Sequence, residues 1–129
     1  MSAEKHLVLI VEDNDKNLKL ARDVLQFGGF RTLEATSGED GIAKAQAERP
    51  DLVLMDIQLP GMDGIAALRK LREDERTRSV PVVALTASVM KADRDRFDAA
   101  GFDGFLQKPI DVKIFATQVR TFCEQGRRP

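Results

Sequence analysis

The sequence predicts an α/β fold on a five-stranded parallel sheet, and three observations predict it. Short apolar runs alternate with segments of helical period five times along the chain. Three of the runs (residues 7–11, 52–55 and 82–85) are unbroken and aliphatic, as strands buried on both faces are. The other two are diluted, residues 30–35 by Arg31, Thr32 and Glu34 and residues 102–106 by Asp103 and Gly104, which suits the sheet edges. Right-handed crossovers prune the possible strand orders, and central first, third and fourth strands with marginal second and fifth ones match a doubly wound (βα)5 arrangement of the flavodoxin-like order 2-1-3-4-5.

Each helix has its own justification. Residues 15–27 carry Leu18, Ala21 and Leu25 at helical spacing and stop at Gly28-Gly29. Ser37 followed by Asp40 has the pattern of a capping box opening residues 38–48, and Pro50 closes that segment. Ile65, Leu68 and Leu71 mark a third helix. Residues 89–100 are the weakest segment, with Phe97 and Ala100 the main anchors among Lys91, Asp93, Arg94, Asp95, Arg96 and Asp98, so a thinly held helix is expected. Val112, Phe115, Val119 and Phe122 form the apolar stripe of the last helix, and the ordinary reading of Pro109 is its start signal with Asp111 at its cap. Phe27, Phe97, Phe115 and Phe122 are expected in the core.

Composition excludes several classes of protein. At 129 residues the chain is one domain of ordinary size, able to bury a core without disulfides or structural metal. Charged residues are 32% and apolar ones 43%, which removes disordered and fibrous classes. A net charge of −1 gives no positive field that would make nucleic acid or an anionic membrane a partner. Cys123, the single cysteine, has no pair for a disulfide or a zinc site. The charged N-terminus precedes only a short apolar run, and no stretch is long enough to span a membrane, so a cytoplasmic protein is expected.

In a doubly wound sheet the site lies beyond the carboxyl ends of the strands, where strand order reverses. Glu12 and Asp13 follow the first strand, Asp56 ends the third, Thr86 ends the fourth, and Gln107-Lys108-Pro109 follows the fifth. Three carboxylates brought together repel one another unless a cation sits among them. An all-oxygen donor set without His or thiolate suits Mg²⁺. A metal, a lysine and a hydroxyl around one carboxylate are the parts for phosphoryl transfer to Asp56, the group held by the central strand. Taken singly, each residue has an ordinary reading. Glu12-Asp13-Asn14-Asp15 could be a solvated loop and helix cap, Asp56 a polar strand end, Thr86 a helix cap and Lys108 a surface lysine. Their joint placement after four strands of one sheet favours a site. His6 and Cys123 receive no role.

At these residues the chain resembles the receiver domain of bacterial two-component response regulators. The matching pieces are Val11-Glu12-Asp13-Asn14, the stretch Leu54-Met55-Asp56 through Gly64, Ala84-Leu85-Thr86-Ala87 and Gln107-Lys108-Pro109, in order and in register from about Leu7 to Phe122. The resemblance implies that Asp56 accepts a phosphoryl group from a phosphohistidine on a histidine kinase or phosphotransfer protein. It also implies that Glu12, Asp13, Asp56 and the Gln58 backbone carbonyl hold Mg²⁺, and that Thr86 and Lys108 engage the phosphoryl oxygens. By the same resemblance, Ala87 would be small enough to admit the phosphoryl group, Lys108-Pro109 would carry a cis peptide, and Thr86 with Phe105 would form a switch that remodels the surface of the fourth helix, fifth strand and fifth helix. The switch ring is Phe105, so no hydroxyl can carry its signal. Gln58 and Ser88 occupy the variable positions beside the site.

So little chain follows the last helix that a single receiver domain over residues 1–129, without an output domain, is expected; it would signal to a downstream protein target or pass phosphate onward. Such a protein is a switch that catalyses its own phosphorylation and dephosphorylation, not a turnover enzyme. The alternatives are a receiver-like interaction module that is not phosphorylated, and an aspartate-nucleophile phosphatase of the haloacid-dehalogenase type. The phosphatase places its nucleophile in an Asp-x-Asp after the first strand, whereas here Asp56 follows the third and Gln58 stands two residues on. A flavin or nucleotide carrier would need phosphate-cradling amides where Glu12-Asp13 stands.

Overall fold

The computed structural model describes residues 5–87 and 90–127, and the sequence expectations for Ser88 and Val89 lie outside them. Strands β1 (Leu7–Val11), β2 (Arg31–Ala35), β3 (Leu52–Asp56), β4 (Val82–Thr86) and β5 (Gly104–Gln107) alternate with helices α1 (Asp15–Phe27), α2 (Gly38–Glu48), α3 (Gly64–Glu73), α4 (Lys91–Ala100) and α5 (Phe115–Gln125). All strand pairs are parallel, in the order β2-β1-β3-β4-β5, as the burial pattern predicts.

The unbroken aliphatic strands divide between two cores by the two-residue period of a strand. Leu9, Val11, Val53, Met55, Val82 and Ala84 face one side, where α2, α3 and α4 pack with Phe97 and Phe102. Val8, Ile10, Leu52, Leu54, Val83 and Leu85 face the other, against α1 and α5. β3 and β4 are buried along their whole length, whereas β2 and β5 are half-buried, as edge strands should be. The register pairs Val11 with Met55 and Asp56 with Leu85, so these strands finish at one level and deliver their C-terminal residues to one edge.

The helix ends follow local chemistry. Asn14, Ser37 and Asp63 cap α1, α2 and α3 by accepting the N–H groups of Asn17, Asp40 and Ala66. Asp40 itself turns to Lys44 Nζ at 3.3 Å, a bond one turn along, so the Ser37 cap is not reciprocated as a full box would be. α4 lacks a side-chain cap and buries only Phe97, whose ring meets Phe102 edge-on at 6.1 Å. The thin anchoring expected of this helix is present.

Three expectations need correction. Phe27 is 97% exposed, because it follows Leu25 by two positions and so points about 200° away from the Leu18-Ala21-Leu25 stripe. Val112 is exposed as well, because residues 112–114 form a turn and α5 begins only at Phe115; Asp111 accepts the Lys113 N–H within that turn, and Ile114 is the cap of the helix. β5 starts at Gly104, not Phe102: Phe102 plugs the core ahead of the strand, and the Asp103 carboxylate is drawn in to accept the Val82 N–H at 2.8 Å and to pair with Arg72 at 2.9 Å.

Candidate active site

The edge where β1, β3, β4 and β5 end carries the residues singled out by the sequence. Glu12 is fixed immediately after β1 by its backbone N–H, which donates to Ala35 O on β2 at 3.0 Å. Its side chain is 2% exposed and accepts the Asn14 N–H, so the chain turns sharply into α1 and leaves Asp13 exposed at the rim. Asp56 closes β3, and the next residue remains tied to the sheet through Ile57 N–H to Leu85 O at 3.2 Å. The chain then loops back, and Gly64 N–H donates to Ile57 O at 3.0 Å. Gly64 is required there, since a Cβ would lie 2.6 Å from the Asp56 carbonyl oxygen.

One carboxylate oxygen each from Glu12, Asp13 and Asp56 lies within 4.8 Å of the other two. Asp56 Oδ1 accepts the Gln58 N–H at 3.0 Å and Oδ2 accepts Lys108 Nζ at 3.0 Å. Lys108 Nζ also lies 2.7 Å from Glu12 Oε1, so one ammonium serves two carboxylates. Its backbone N–H donates to Thr86 O at 2.8 Å, which locks the end of β5 to the end of β4, and the Lys108-Pro109 peptide is cis.

One ammonium does not neutralise this cluster. Burial, and then the adjoining Asp56 carboxylate, push the Glu12 carboxyl up to about 7 against the opposing pull of Lys108. For Lys108, burial works against the charge, but its bonds to Glu12 and Asp56 outweigh it and the ammonium is held above the ordinary lysine range. A pocket that remains short of positive charge after its lysine has been counted, and that offers only oxygen donors, fits a hard divalent cation such as Mg²⁺.

Thr86 is buried at the end of β4 and lines a cleft of about 430 Å³ together with Asp56, Gln58, Ala87 and Lys108. Phe105 is not among the residues that line the cleft. It pairs in register with Ala84, so it shares the sheet face of Ala84 and Thr86 beneath α4, and the Arg94 guanidinium lies 5.8 Å over its ring. The sequence missed the other wall of the cleft, which is Asp93, Arg96 and Phe97 of α4. Those charges read as a solvated face, but residues 93, 96 and 97 fall at helical spacing on one side, and the buried Phe97 marks that side as turned inward.

The model of the response regulator receiver domain matches residues 8–120 of this chain. The polar-differentiation response regulator DivK of Brucella ovis is 40% identical over 115 residues, covering 89% of this chain and 94% of that one. Among solved structures, the receiver domain of the sensor histidine kinase PA1611 of Pseudomonas aeruginosa superposes with a TM-score of 0.82 at 31% identity, covering 95% of this chain and 97% of that one. The chemotaxis response regulator CheY4 of Vibrio cholerae has the same fold, with a TM-score of 0.86 at 24% identity over 92% and 98% of the two chains.

Proposed function

Since this chain belongs to the response regulator receiver family, whose members are phosphorylation-dependent switches of two-component signalling, we propose that Asp56 is its phosphoacceptor. One observation supports this above the others: a buried aspartate at the end of the central strand is held by a backbone N–H on one oxygen and an ammonium on the other, beside two further carboxylates.

In this reading an Asp56 oxygen attacks the phosphorus of a phosphohistidine presented by a histidine kinase or phosphotransfer protein. The new P–O bond forms as the P–N bond breaks, and the leaving imidazole nitrogen keeps the electron pair and takes up a proton. The Gln58 N–H and Lys108 hold the carboxylate in place, so little motion is needed to reach the attacking geometry. Lys108 and the Thr86 hydroxyl donate to the phosphoryl oxygens as charge shifts onto them. Glu12, Asp13, Asp56 and the Gln58 carbonyl are the residues that would hold Mg²⁺, which when bound supplies neutralising charge for the crowded carboxylates and the incoming anion. The PA1611 receiver domain is described with a magnesium ion coordinated in its active site cleft. The aspartyl phosphate ends when water attacks phosphorus and the P–O bond to Asp56 breaks, returning the carboxylate and inorganic phosphate. The protein is thus a self-modifying switch and not a turnover enzyme.

The readout is the α4–β5–α5 surface. Thr86 drawn toward the phosphoryl group leaves space on the sheet face it shares with Phe105, and the lightly anchored α4 is the element able to move in response. A downstream protein is the target of that surface. No described helix is long and apolar enough to cross a membrane, and the proposed location is the cytoplasm. Labelling by acetyl phosphate tests the assignment: it should require Mg²⁺ and vanish in Asp56→Asn, and equal labelling of that variant would refute it.

A further inference from the structure

The α4 wall of the cleft has a chemistry that the phosphoacceptor reading leaves unused. Two cations line the cleft among its described residues, Lys108 and Arg96. Lys108 is already engaged by Glu12 at 2.7 Å and Asp56 at 3.0 Å. Arg96 is not held in this way. Its closest charged partner is Asp93, at 3.8 Å from Nη2 to Oδ1, beyond hydrogen-bond reach, and among the described residues its guanidinium donates no hydrogen bond. The guanidinium carbon lies 5.4 Å over the ring of Phe97, which is itself 2% exposed and so provides a fixed base for a mobile fork. The Arg96 side chain is 58% exposed, free to reorient within the cleft.

Every group that enters this cleft to react with Asp56 is an anion, and once transferred it adds negative charge to a site already rich in carboxylates. A planar fork with five N–H donors is the side chain best matched to phosphoryl oxygens. We propose that Arg96 is a further phosphoryl-binding residue, which leaves its loose pairing with Asp93 to engage the phosphoryl group on Asp56 and thereby ties α4 to the modified site. This rests on Asp56 being the phosphoacceptor. Arg96 also borders the groove between α3 and α4 beside Arg69, so its engagement at the cleft changes the charge that groove presents.

The test is an equilibrium titration of the full chain with beryllofluoride in the presence of Mg²⁺, followed by amide NMR, at low and at high salt. Arg96→Gln should weaken binding about tenfold at low salt, the effect of losing one charge-assisted contact. Arg96→Lys, which keeps the charge but not the fork, should fall between Gln and the native protein. The difference between native and Gln should shrink at high salt, because the contact is partly exposed and screened. Unchanged affinity in Arg96→Gln, an equal loss in Arg96→Lys, or a loss that ignores salt would overturn the proposal. Matching far-UV spectra and urea midpoints guard against misfolding. If the native protein binds beryllofluoride and labels at Asp56 while Arg96→Gln behaves identically, the role of Arg96 fails alone. If the native protein neither binds nor labels at Asp56, both readings fail together.

Discussion

Gly64 links the stability of the fold to the geometry of the site, and replacing it with alanine tests that link. The added Cβ would lie 2.6 Å from the Asp56 carbonyl oxygen and 2.9 Å from Ile57 Cα. Both are backbone atoms of the segment leaving β3, so no side-chain rotation relieves the overlap. Ordinary van der Waals separation is restored only if the start of α3 or the 56–57 peptide moves by about half an ångström or more. Overpacking of this kind costs about 1–3 kcal/mol. With an unfolding entropy of about 2.1 cal/mol/K per residue, a chain of this size should lose roughly 4 °C in Tm for each kcal/mol. Gly64→Ala should therefore melt about 4–11 °C lower, with an unchanged urea m-value. It should also label at Asp56 about 10- to 100-fold more slowly, since sub-ångström misplacement of a reacting group has effects of that order. Gly61→Ala is the control: its φ of +77° strains alanine, but nothing lies within 4 Å of the added atom, so stability falls while the amide signals of residues 56–58 stay in place. Gly64→Ala within about 0.5 kcal/mol of native and labelling at the native rate would refute the reasoning.

Other outcomes follow from the same structure. Lys108→Ala leaves Glu12 and Asp56 without their shared cation and should slow Asp56 labelling by about 10²–10³-fold, measured by phosphorylation time courses at saturating Mg²⁺. Asp103→Ala removes the carboxylate paired with the largely buried Arg72, leaving it only backbone carbonyls, and takes the acceptor from the Val82 N–H; it should cost about 3–5 kcal/mol in urea unfolding, despite lying at the far end of the sheet from the site. Phe27→Ala should change stability by less than about 0.5 kcal/mol, while Phe102→Ala should cost about 3–5 kcal/mol. Burial pushes the Cys123 thiol up to about 12, so it should react with a disulfide reagent at pH 8 far more slowly than the unfolded chain does. Because that raised value means the folded state keeps a proton the unfolded state releases, the Cys123 contribution to stability is intact below about pH 8.5 and is lost as the pH rises toward 12; Cys123→Ser should flatten that decline.

Much of this arrangement is legible in the residues because local and global signals agree. Strands β1, β3 and β4 announce their burial by unbroken aliphatic runs, which places them in the middle of the sheet, and parallel strands then bring Glu12, Asp56, Thr86 and Lys108 to one edge. What the sequence conceals depends on angle and on tertiary contact. Phe27 looks like core because it is aromatic, yet its position around α1 turns it to solvent. Asp103 looks like a polar interruption of an edge strand, yet it is drawn inside by Arg72, a partner distant in sequence. Thr77 is fully buried because its hydroxyl donates to Leu71 O at 2.6 Å and closes the end of α3, a contact with no periodic signature. The α4 wall of the cleft is hidden for a different reason: a charged helix with one buried anchor reads as solvated on every face, and only the packing of Phe97 shows which charges look toward Asp56.

The measurement that bears most directly on the account is chemical mapping of the modified residue after phosphotransfer from a phosphohistidine donor. Reduction with borohydride converts an aspartyl phosphate to homoserine, and peptide sequencing by mass spectrometry then locates it. The account predicts homoserine at position 56 alone, dependent on Mg²⁺. Modification at Glu12, Asp13 or any other carboxylate with residue 56 untouched would contradict it.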